Sequence, residues 1–543
     1  MISGAEVRIN GQPLDPKLHD RLVEVRVQDN LRLPDSALIR VSDPGLENVD
    51  SIPLEIGAEV EILLAAIDAS SLTSVFKGRI AALEPEFSAS GTVLAARAYD
   101  GSHLLHQTKR TQTFQNMTAG DIAKKVAQKQ QLALGTIESA GLPHDFVQQS
   151  NETDWEFLWR LASRIDFEVL VTDKKLHFRK AGAPPDAHDL TLRWGEQLLS
   201  FRPRVTSVQQ VSEVVVRAWD PIAKRTIEAT EKIGKPGSEI GIARDKIVSA
   251  AGGDSVTVAD RPVFSADEAR ELAKSFASHL GNAYVEAEGS CKGNPRLRAG
   301  TKITIEGVGT RFGGTYTASA TTHVFRGSHG YLTYFSISGR APRNLVDLMK
   351  PAAPRSWGSG VVIGTVTQTE DPQSLGRVRV SYPALGDGTE SGWARIVSSA
   401  AGDRRGLLMM PLVGDEVLVA FEHGDVHKPY VIGSLWNGKG KPGDLVRKDG
   451  SFGLASDKAV EVNAKEDISL KAGKDYLLQT GGKLTAKANG DIQVEGSANI
   501  TLKGGTSLTI EGGTDISIKC GAASISLNST GTVQVSGSQI MLG

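Results

Sequence analysis

The chain has 543 residues, a formal net charge of −2 and a pI near 6.6. This length predicts about three to four domains. The near-neutral charge argues against a global attraction to nucleic acid or to an anionic membrane. Its 58 glycines against six methionines favour strands and turns, so we expect a mainly β protein in which helix is the minority. Only two cysteines occur, Cys291 and Cys520, which fits a reducing compartment and argues against a disulfide framework.

Residues 1–350 form a strand-rich region that we call the hub. Its first strands alternate apolar and polar residues and predict a β-barrel in roughly the first hundred residues: 23–30, 58–66, 76–87 and 92–100. A second set of similar stretches predicts a second barrel: 212–220, 283–291, 301–309, 315–325 and 331–339.

Three helical stretches lie between or within these strand sets, at residues 118–132, 152–166 and 265–280. Thr118 and Ser265 are natural N-caps, because a hydroxyl can accept a hydrogen bond from the backbone N–H three residues later. The middle helix is rich in large apolar side chains, which we interpret as core packing and not as ligand contacts. These side chains are Trp155, Phe157, Leu158, Trp159 and Leu161.

A Pro- and Gly-punctuated stretch, residues 341–360, predicts a linker, and a compact β segment follows over residues 357–440. Five short strands in about eighty residues predict a small OB-fold barrel. Such barrels often bind single-stranded nucleic acid, but this segment carries seven Lys or Arg against nine Asp or Glu. A net charge of −2 is unsuited to a phosphate backbone, so we expect a spacer and no nucleic-acid partner.

After a neck at residues 441–455, residues 456–543 repeat every eight residues. Because a strand rises about 3.3 Å per residue, each octad has room for about five residues on a flat face and three at a corner. The predicted corners fall on small or turn-forming residues: Gly473, Gly481, Asn489, Ser497, Gly505, Gly513 and Gly521.

Each octad directs two apolar side chains to one side of its strand and polar ones to the other. A single coil with three octads per turn would separate its own successive strands by about 14 Å, whereas ladder hydrogen bonds need about 4.8 Å. Three intertwined copies would fill the gaps, so we predict a C-terminal triple-stranded β-helix formed by a homotrimer. Its predicted inward-facing core residues are Val460, Val462, Ile468, Leu470, Leu484, Ile492, Val494, Ile500, Leu502, Leu508, Ile510, Ile516, Ile518, Ile525, Leu527, Val533 and Val535.

About eleven strands between Val460 and Leu542 would make a needle on the order of 50 Å long. The register slips by one residue at "CGAAS", where we expect the needle to taper or end. A single-chain solenoid is the structural alternative, although its usual repeats have other periods.

The order of strand-rich hub, OB barrel and octad needle resembles the VgrG-type hub and spike proteins of contractile injection systems. The most specific segments are "QQSNETDWEFLWRLASRIDFEV", residues 148–169, and "GTVTQTEDPQSLGRVRVSYP" with "LVGDEVLVAFEHGDVHKPYVIGSLWN". The resemblance implies a trimeric, membrane-puncturing spike on a baseplate, whose six tube-like barrels meet a hexameric inner tube and whose needle carries a small tip protein. The compact length looks more like the spike of an extracellular phage-tail-like particle, with a type VI secretion spike as the alternative. No leader or 18-residue apolar stretch is present, so we expect assembly in the cytoplasm and action on a target envelope.

The competing class is a trimeric tail-spike enzyme that degrades envelope polysaccharide. No nucleophile elbow, phosphate loop or zinc-protease motif occurs, and the fifteen-residue neck leaves no room for an enzyme domain, so we expect no catalytic residues, cofactor or metal. His423 and His427 stand four apart but in a Gly- and Pro-broken turn, which argues against a metal site. Two carboxylate pairs, Glu84 with Glu86 and Asp403 with Glu416, are interpreted as surface charge. Cys520 is interpreted as a small apolar filler near the trimer axis.

Overall fold

The computed structural model describes residues 4–31, 33–44, 53–66, 71–89, 91–139, 143–180, 189–208, 210–234, 237–327, 329–338, 360–385, 389–446, 449 and 451–541. Most of the predicted linker, residues 341–359, lies outside these ranges. The fold is mainly β, as predicted, with 43% strand and 13% helix. The chain divides into two compact units, residues 1–449 and 450–543, which are described separately.

In the described residues of the hub there are 23 strands, six helices and a 3-10 turn at Asn282–Tyr284. Its strands are β1 Ala5–Ile9, β2 Gln12–Pro13, β3 Leu22–Asn30, β4 Ser36–Ser42, β5 Glu59–Leu64, β6 Thr73–Ser88, β7 Gly91–Tyr99, β8 Lys109–Met117, β9 Ala133–Ile137, β10 His144–Thr153, β11 Phe167–Thr172, β12 Lys175–Lys180, β13 Leu190–Arg193, β14 Leu198–Val205, β15 Glu213–Asp220, β16 Arg225–Lys232, β17 Glu239–Ile240, β18 Ser255–Val258, β19 Val285–Lys292, β20 Lys302–Glu306, β21 Gly314–Thr317, β22 Ala320–Arg326 and β23 Gly330–Ile337. Its helices are α1 Pro16–His19, α2 His103–His106, α3 Ala119–Lys129, α4 Asp154–Arg164, α5 Arg244–Ala250 and α6 Ala266–Gly281.

One sheet of eleven strands joins the two predicted strand sets, in the order β14-β19-β23-β22-β3-β4-β7-β6-β5-β1-β2. The joint is the antiparallel pair β3 and β22, where Val25 lies opposite Phe325. Each set keeps its own core: one cluster is built mainly from residues 5–98 and the other from residues 190–337. The sequence predicts two barrel-like units here but not the sheet that the two sets share.

The helices between the strand sets begin where the sequence places them. Thr118 caps α3 by accepting a hydrogen bond from the Asp121 N–H, and Thr153 with Glu156 forms a reciprocal capping box on α4. The large apolar side chains of α4 pack in a third core with α3 and strands β8 to β12, which confirms the core interpretation. Trp159 is half-buried at the edge of this core.

The stretch at residues 212–220 lies in a different sheet from the one predicted. β15 pairs with β16 and β18 in a separate three-stranded sheet, and α6 packs on that sheet to form a fourth core. The prediction failed because an alternating strand pattern identifies a strand but not its partners, which are set by contacts distant in sequence. The other strands of the second set lie in two sheets. β19, β22 and β23 belong to the eleven-stranded sheet together with β14, whereas β20 and β21 pair in a neighbouring sheet with β13 and β17.

The compact β segment is a closed five-stranded barrel, as predicted, in the order β24-β25-β26-β30-β29. Its elements are β24 Val362–Gln368, β25 Arg377–Ser381, β26 Ala394–Ile396, β27 Ala401–Gly402, β28 Arg405–Gly406, β29 Glu416–Phe421 and β30 Pro429–Leu435. Short 3-10 turns occur at Pro383–Leu385, Glu422–Gly424 and, after the barrel, Gly443–Leu445. The barrel interior is filled by valines, with Tyr382, Ala394 and Phe421.

The second unit consists of an extended tail and a small terminal sheet. Residues 451–514 contain no paired strand but bend at regular intervals. The last elements are β31 Asp515–Cys520, β32 Ala523–Asn528 and β33 Val533–Ser536, which pair antiparallel within the chain. None of the helices in the described part of the chain combines the length and apolar character needed to cross a bilayer.

Candidate functional site

The tail bends once every eight residues. The bends lie at residues 457–458, 465–466, 473–474, 481–482, 489–490, 497–498, 505–506 and 513–514, and extended backbone runs between them. This spacing reproduces the octad period of the sequence in the backbone itself. The seven segments between these bends therefore have the flat faces and corners that an octad repeat requires.

The predicted inward residues of these octads are uncovered within a single chain. Their exposed fractions range from 53% at Ile500 to 71% at Val494. None of the extended segments in residues 452–514 pairs with another segment, so their backbone N–H and C=O groups have no ladder partner. Exposed apolar side chains in such a regular row are a feature of surfaces that contact other chains.

The bends begin at the predicted corner residues, but at two corners a close backbone approach lies one residue earlier. A Cβ atom on Gly504 would lie 2.2 Å from the Ser507 carbonyl oxygen, and one on Gly512 would lie 2.6 Å from that of Asp515. By contrast, Gly505 and Gly513 have open space around them, and neither has a positive φ. The glycine is thus needed for close approach of the backbone before the bend and not for a left-handed conformation in it.

The six most distal predicted core residues do not belong to octads of the same kind. Ile516, Ile518, Ile525, Leu527, Val533 and Val535 lie on the terminal antiparallel sheet. Cys520 ends β31 and is exposed in the single chain. The expected taper at "CGAAS" is therefore a hairpin between β31 and β32.

The barrel carries an exposed apolar run between β28 and β29. Leu407, Leu408, Met409, Leu412 and Val413 are all more than half exposed. Exposed apolar side chains in a contiguous run of this kind are a feature of protein interaction surfaces. The barrel therefore offers a second surface suited to contact with another chain.

The "EHGDVHKP" loop of the barrel holds it against the hub, and His427 is the central contact. Its Nδ1–H donates to Asp425 at 2.5 Å, and its Nε2 accepts a hydrogen bond from the Gln148 backbone N–H at 3.0 Å. Lys428 donates to the Val263 carbonyl at 3.1 Å and lies over the ring of Phe264. One ring nitrogen of His427 thus contacts the hub, while the other is held by Asp425 of the same barrel loop.

Asp425 and Glu422 complete this junction on the barrel side. Burial by itself would raise the pKa of Asp425, but the adjacent His427 ring and its backbone N–H lower that pKa below its ordinary value. Glu422 accepts a hydrogen bond from the Tyr430 hydroxyl at 2.5 Å and from Lys428 at 3.5 Å. His423, in contrast, is exposed in a left-handed turn. The two histidines therefore do not converge.

The "QQSNETDW" segment forms a buried polar cluster beside that junction. Asp154, only 1% exposed, accepts hydrogen bonds from Gln149 at 2.9 Å, Gln130 at 2.5 Å and Arg110 at 3.3 Å. Arg160 donates to the Gln148 carbonyl at 2.8 Å. Sequence reasoning placed only the apolar face of this helix, although two glutamines and an aspartate around its first turn were a visible signal of buried polar pairing.

A second buried charge cluster, which sequence reasoning missed, joins the two strand sets of the hub. Arg298 donates to Asp29 and lies 3.6 Å from Asp35, so residues 269 positions apart are linked. Burial raises the pKa of the nearby Asp100 to about 7 and that of Asp35 well above its ordinary value. Two carboxylates, Asp29 and Asp35, therefore share one arginine in this part of the hub.

The paired carboxylates weighed from sequence have ordinary partners. Glu84 accepts a hydrogen bond from Arg97 at 3.1 Å, and Glu86 accepts one from Arg40 at 2.8 Å. Asp403 is exposed, and Glu416 accepts one from Asn437. Among the residues that the structure describes, no group of three His, Cys, Asp or Glu side chains is arranged to hold a metal ion.

Comparison with family models gives two matches. The model of the Alg8 N-terminal domain matches residues 3–326, more than half of the chain. The model of the type VI secretion system and phage-baseplate injector OB domain matches residues 362–436, which are the strands of the closed barrel and their loops.

The named relatives include a spike protein and a probable baseplate hub protein. The Pseudomonas aeruginosa type VI secretion system spike protein VgrG5 is 37% identical over 94 residues, which cover 16% of this chain and 12% of that protein. A probable baseplate hub protein of Escherichia phage 186 is 28% identical over 179 residues, covering 32% of this chain and 44% of that protein. The chain thus spans less than half the length of the relatives it matches.

Among solved structures, the E. coli c3393 protein is described as a component of the type VI secretion system with structural similarity to the T4 bacteriophage tail proteins gp27 and gp5. It is 17% identical, with a TM-score of 0.49, over 79% of this chain and 99% of that one.

Proposed function

The chain is a VgrG-type hub and spike protein that belongs to the family of the Alg8 N-terminal domain, and from this premise we propose that three copies of it assemble into the structural spike of a contractile injection system. In this assembly the hub joins an inner tube and a baseplate, the OB barrel acts as a spacer, and the tail forms a membrane-puncturing needle. The named relatives that support the proposal are spike and hub proteins.

The observation that carries the proposal is the tail. Its backbone bends every eight residues, its octad side chains are more than half exposed, and its segments have no partner within the chain. If one chain wound into a prism with three octads per turn, its own strands would recur about 14 Å apart. Two further copies would bring the spacing to about 4.8 Å, complete every ladder and bury the apolar pairs at the axis.

The barrel supports the same assembly. Its exposed run at residues 407–413 is apolar, and its strands form a closed sheet with no edge left for pairing, so contact there must be made through side chains. A trimer built on this surface would be held by the barrel as well as by the tail.

We propose a mechanical and not a catalytic role. Contraction of a surrounding sheath would drive tube and spike forward, and a needle whose strands are each held by two other chains would resist unfolding under that force. The cytoplasm is the proposed place of assembly, a target envelope the place of action, and a small protein at the needle tip a further partner. The chain itself would need no cofactor, metal or nucleic acid.

The runner-up is a trimeric tail-spike enzyme acting on envelope polysaccharide. Two carboxylates at a separation suited to glycoside hydrolysis would be needed on an open face. The carboxylates weighed for this role, Glu84 and Glu86, are each paired with an arginine, which favours the structural reading. A type VI secretion spike would share all the features described and differ only in the particle that carries it.

The deciding measurement is the mass of the full-length protein under native conditions, accompanied by a truncated variant that ends at residue 450. We expect a trimer for the full chain that resists heat and detergent, and loss of that resistance in the truncated variant. A full-length protein that is monomeric at micromolar concentration would refute the proposal, and hydrolysis of envelope glycans by the purified protein would favour the enzyme.

A further inference from the structure

The terminal sheet differs from the octads because its strands pair within one chain. β31, β32 and β33 run antiparallel, joined by short turns at residues 521–522 and 529–532. Gly521 and Gly531 adopt positive φ values of 55° and 81°, which glycine reaches at low cost. The chain therefore changes at Asp515 from segments without a partner to a sheet that satisfies itself.

One face of this sheet is entirely apolar. Ile516, Leu527 and Val533 lie opposite one another in one row across the three strands. Ile518, Ile525 and Val535 form a second row on the same face, because side chains alternate along a strand and opposed residues share a face. Cys520 and Ala523 extend this face at the first hairpin.

The other face is polar throughout. Ser517, Ser526 and Gln534 form one row, and Lys519, Ser524 and Ser536 form the next. A three-stranded sheet with one apolar face needs a cover on that face to be stable. Within the chain, no described residue supplies such a cover, since Ile518 remains 56% exposed and Val533 61% exposed.

The apolar face continues the octad pattern without a break in phase. Ile516 and Ile518 follow Leu508 and Ile510 by eight residues, so they are the last members of the same inward series. The surface that the octads present to neighbouring copies in the proposed trimer therefore leads directly onto the face of the terminal sheet. Whatever covers the octads at that level must also meet this face.

We propose that the two other copies of the chain cover this face, so that the needle ends in three self-paired sheets packed apolar face to apolar face around the axis. This inference rests on the proposed trimer and adds that strand exchange between chains stops at residue 515. Beyond that residue each chain supplies one complete wall, and the copies contact one another through side chains and not through ladder hydrogen bonds.

A second copy is favoured over an unrelated protein by symmetry and by continuity. Three identical apolar faces arranged around one axis cover one another completely, as closed symmetric assemblies require. A different protein on this face would have to displace the neighbouring tails, which already lie beside Leu508 and Ile510 in the proposed trimer. An unrelated occupant would instead leave the faces accessible when the protein is purified alone.

Cys520 allows a direct test in the full-length protein. It is one of two cysteines, the other being the buried Cys291, and it lies on the apolar face. A short bifunctional maleimide should join Cys520 residues of neighbouring copies into covalent dimers that are visible after denaturation. The matched control is the double variant C520S/S524C, which moves the thiol to the polar face of the same sheet.

We expect cross-linking through Cys520 to be faster than through the control position by on the order of tenfold or more, because the effective concentration within an assembly far exceeds micromolar bulk values. Native mass measured on the same samples separates the two proposals. A trimer in which Cys520 fails to cross-link, or in which both positions cross-link equally, would overturn the packing of the apolar faces and leave the spike intact. A monomer would overturn both.

Discussion

The substitution Ile500→Asp places a carboxylate at the octad position with the lowest exposure, 53% in the single chain. Covering the remaining half of an isoleucine contributes about 1 kcal/mol per chain, or about 3 kcal/mol for three copies. The carboxylate adds a cost of several kcal/mol per copy, because three like charges would be buried near one axis. The trimer should therefore lose on the order of 10 kcal/mol or more.

The assay is migration in detergent gels without boiling, together with native mass, for Ile500→Asp and for the control Thr501→Asp. Thr501 neighbours Ile500 and alternates to the outward side of the strand, so its carboxylate should stay in water. We expect loss of the resistant trimer only in the first variant, with partial recovery below about pH 4, where the carboxyl is neutral. Equal resistance of the two variants at pH 7 would refute the inward assignment of the octad residues.

Three further predictions concern single positions. Gly504→Ala should lower the melting temperature of the trimer while Gly505→Ala leaves it nearly unchanged, since only the first added Cβ meets a carbonyl, at 2.2 Å; calorimetry of both variants checks this, and equal losses would contradict it. His427→Ala should lower the free energy of unfolding of the hub and barrel by about 1 to 3 kcal/mol, because the Gln148 backbone N–H loses its acceptor and Asp425 keeps only the backbone N–H of residue 427 as a donor. His423→Asn, at an exposed left-handed turn, is the control, and denaturant unfolding is the measurement. Asp100→Asn should stabilise the hub above pH 7 and lose that advantage as the pH falls toward 4. The pKa of the Asp100 carboxyl is raised to about 7 in the fold, so ionisation favours the unfolded state, and this cost disappears when the carboxyl is protonated in both states. Denaturant unfolding of the variant that has the same pH profile as unfolding of the wild type would contradict this.

Local signals in the sequence predicted local structure well. Thr118 and Ser265 cap the helices that begin after them, because a cap depends on residues within three positions. The five barrel strands and the octad bends also appear where their patterns place them, since turn chemistry and alternation act over short distances.

Contacts between distant residues were not predictable. The alternation in residues 213–220 marks a strand but does not say that α6, fifty residues later, covers it. The hydrogen bond between His427 and Gln148 joins residues 279 positions apart, and no periodicity carries that information. The sequence placed the bends but did not identify the close backbone approach at Gly504 and Gly512, because a double glycine does not show which member lies against a carbonyl.

An eight-residue repeat has a weakness of its own, which the terminal sheet can correct. If one tail slid past its neighbours by a whole octad, every apolar side chain would find another to contact, so the repeat alone hardly distinguishes one alignment from the next. Within the described part of the tail, β31, β32 and β33 are the strands that pair with one another, so this sheet interrupts the repeat at a single place. In the proposed needle this sheet would fix the register, because the three tails can bring their sheets together in only one alignment. The needle would therefore have a single defined length.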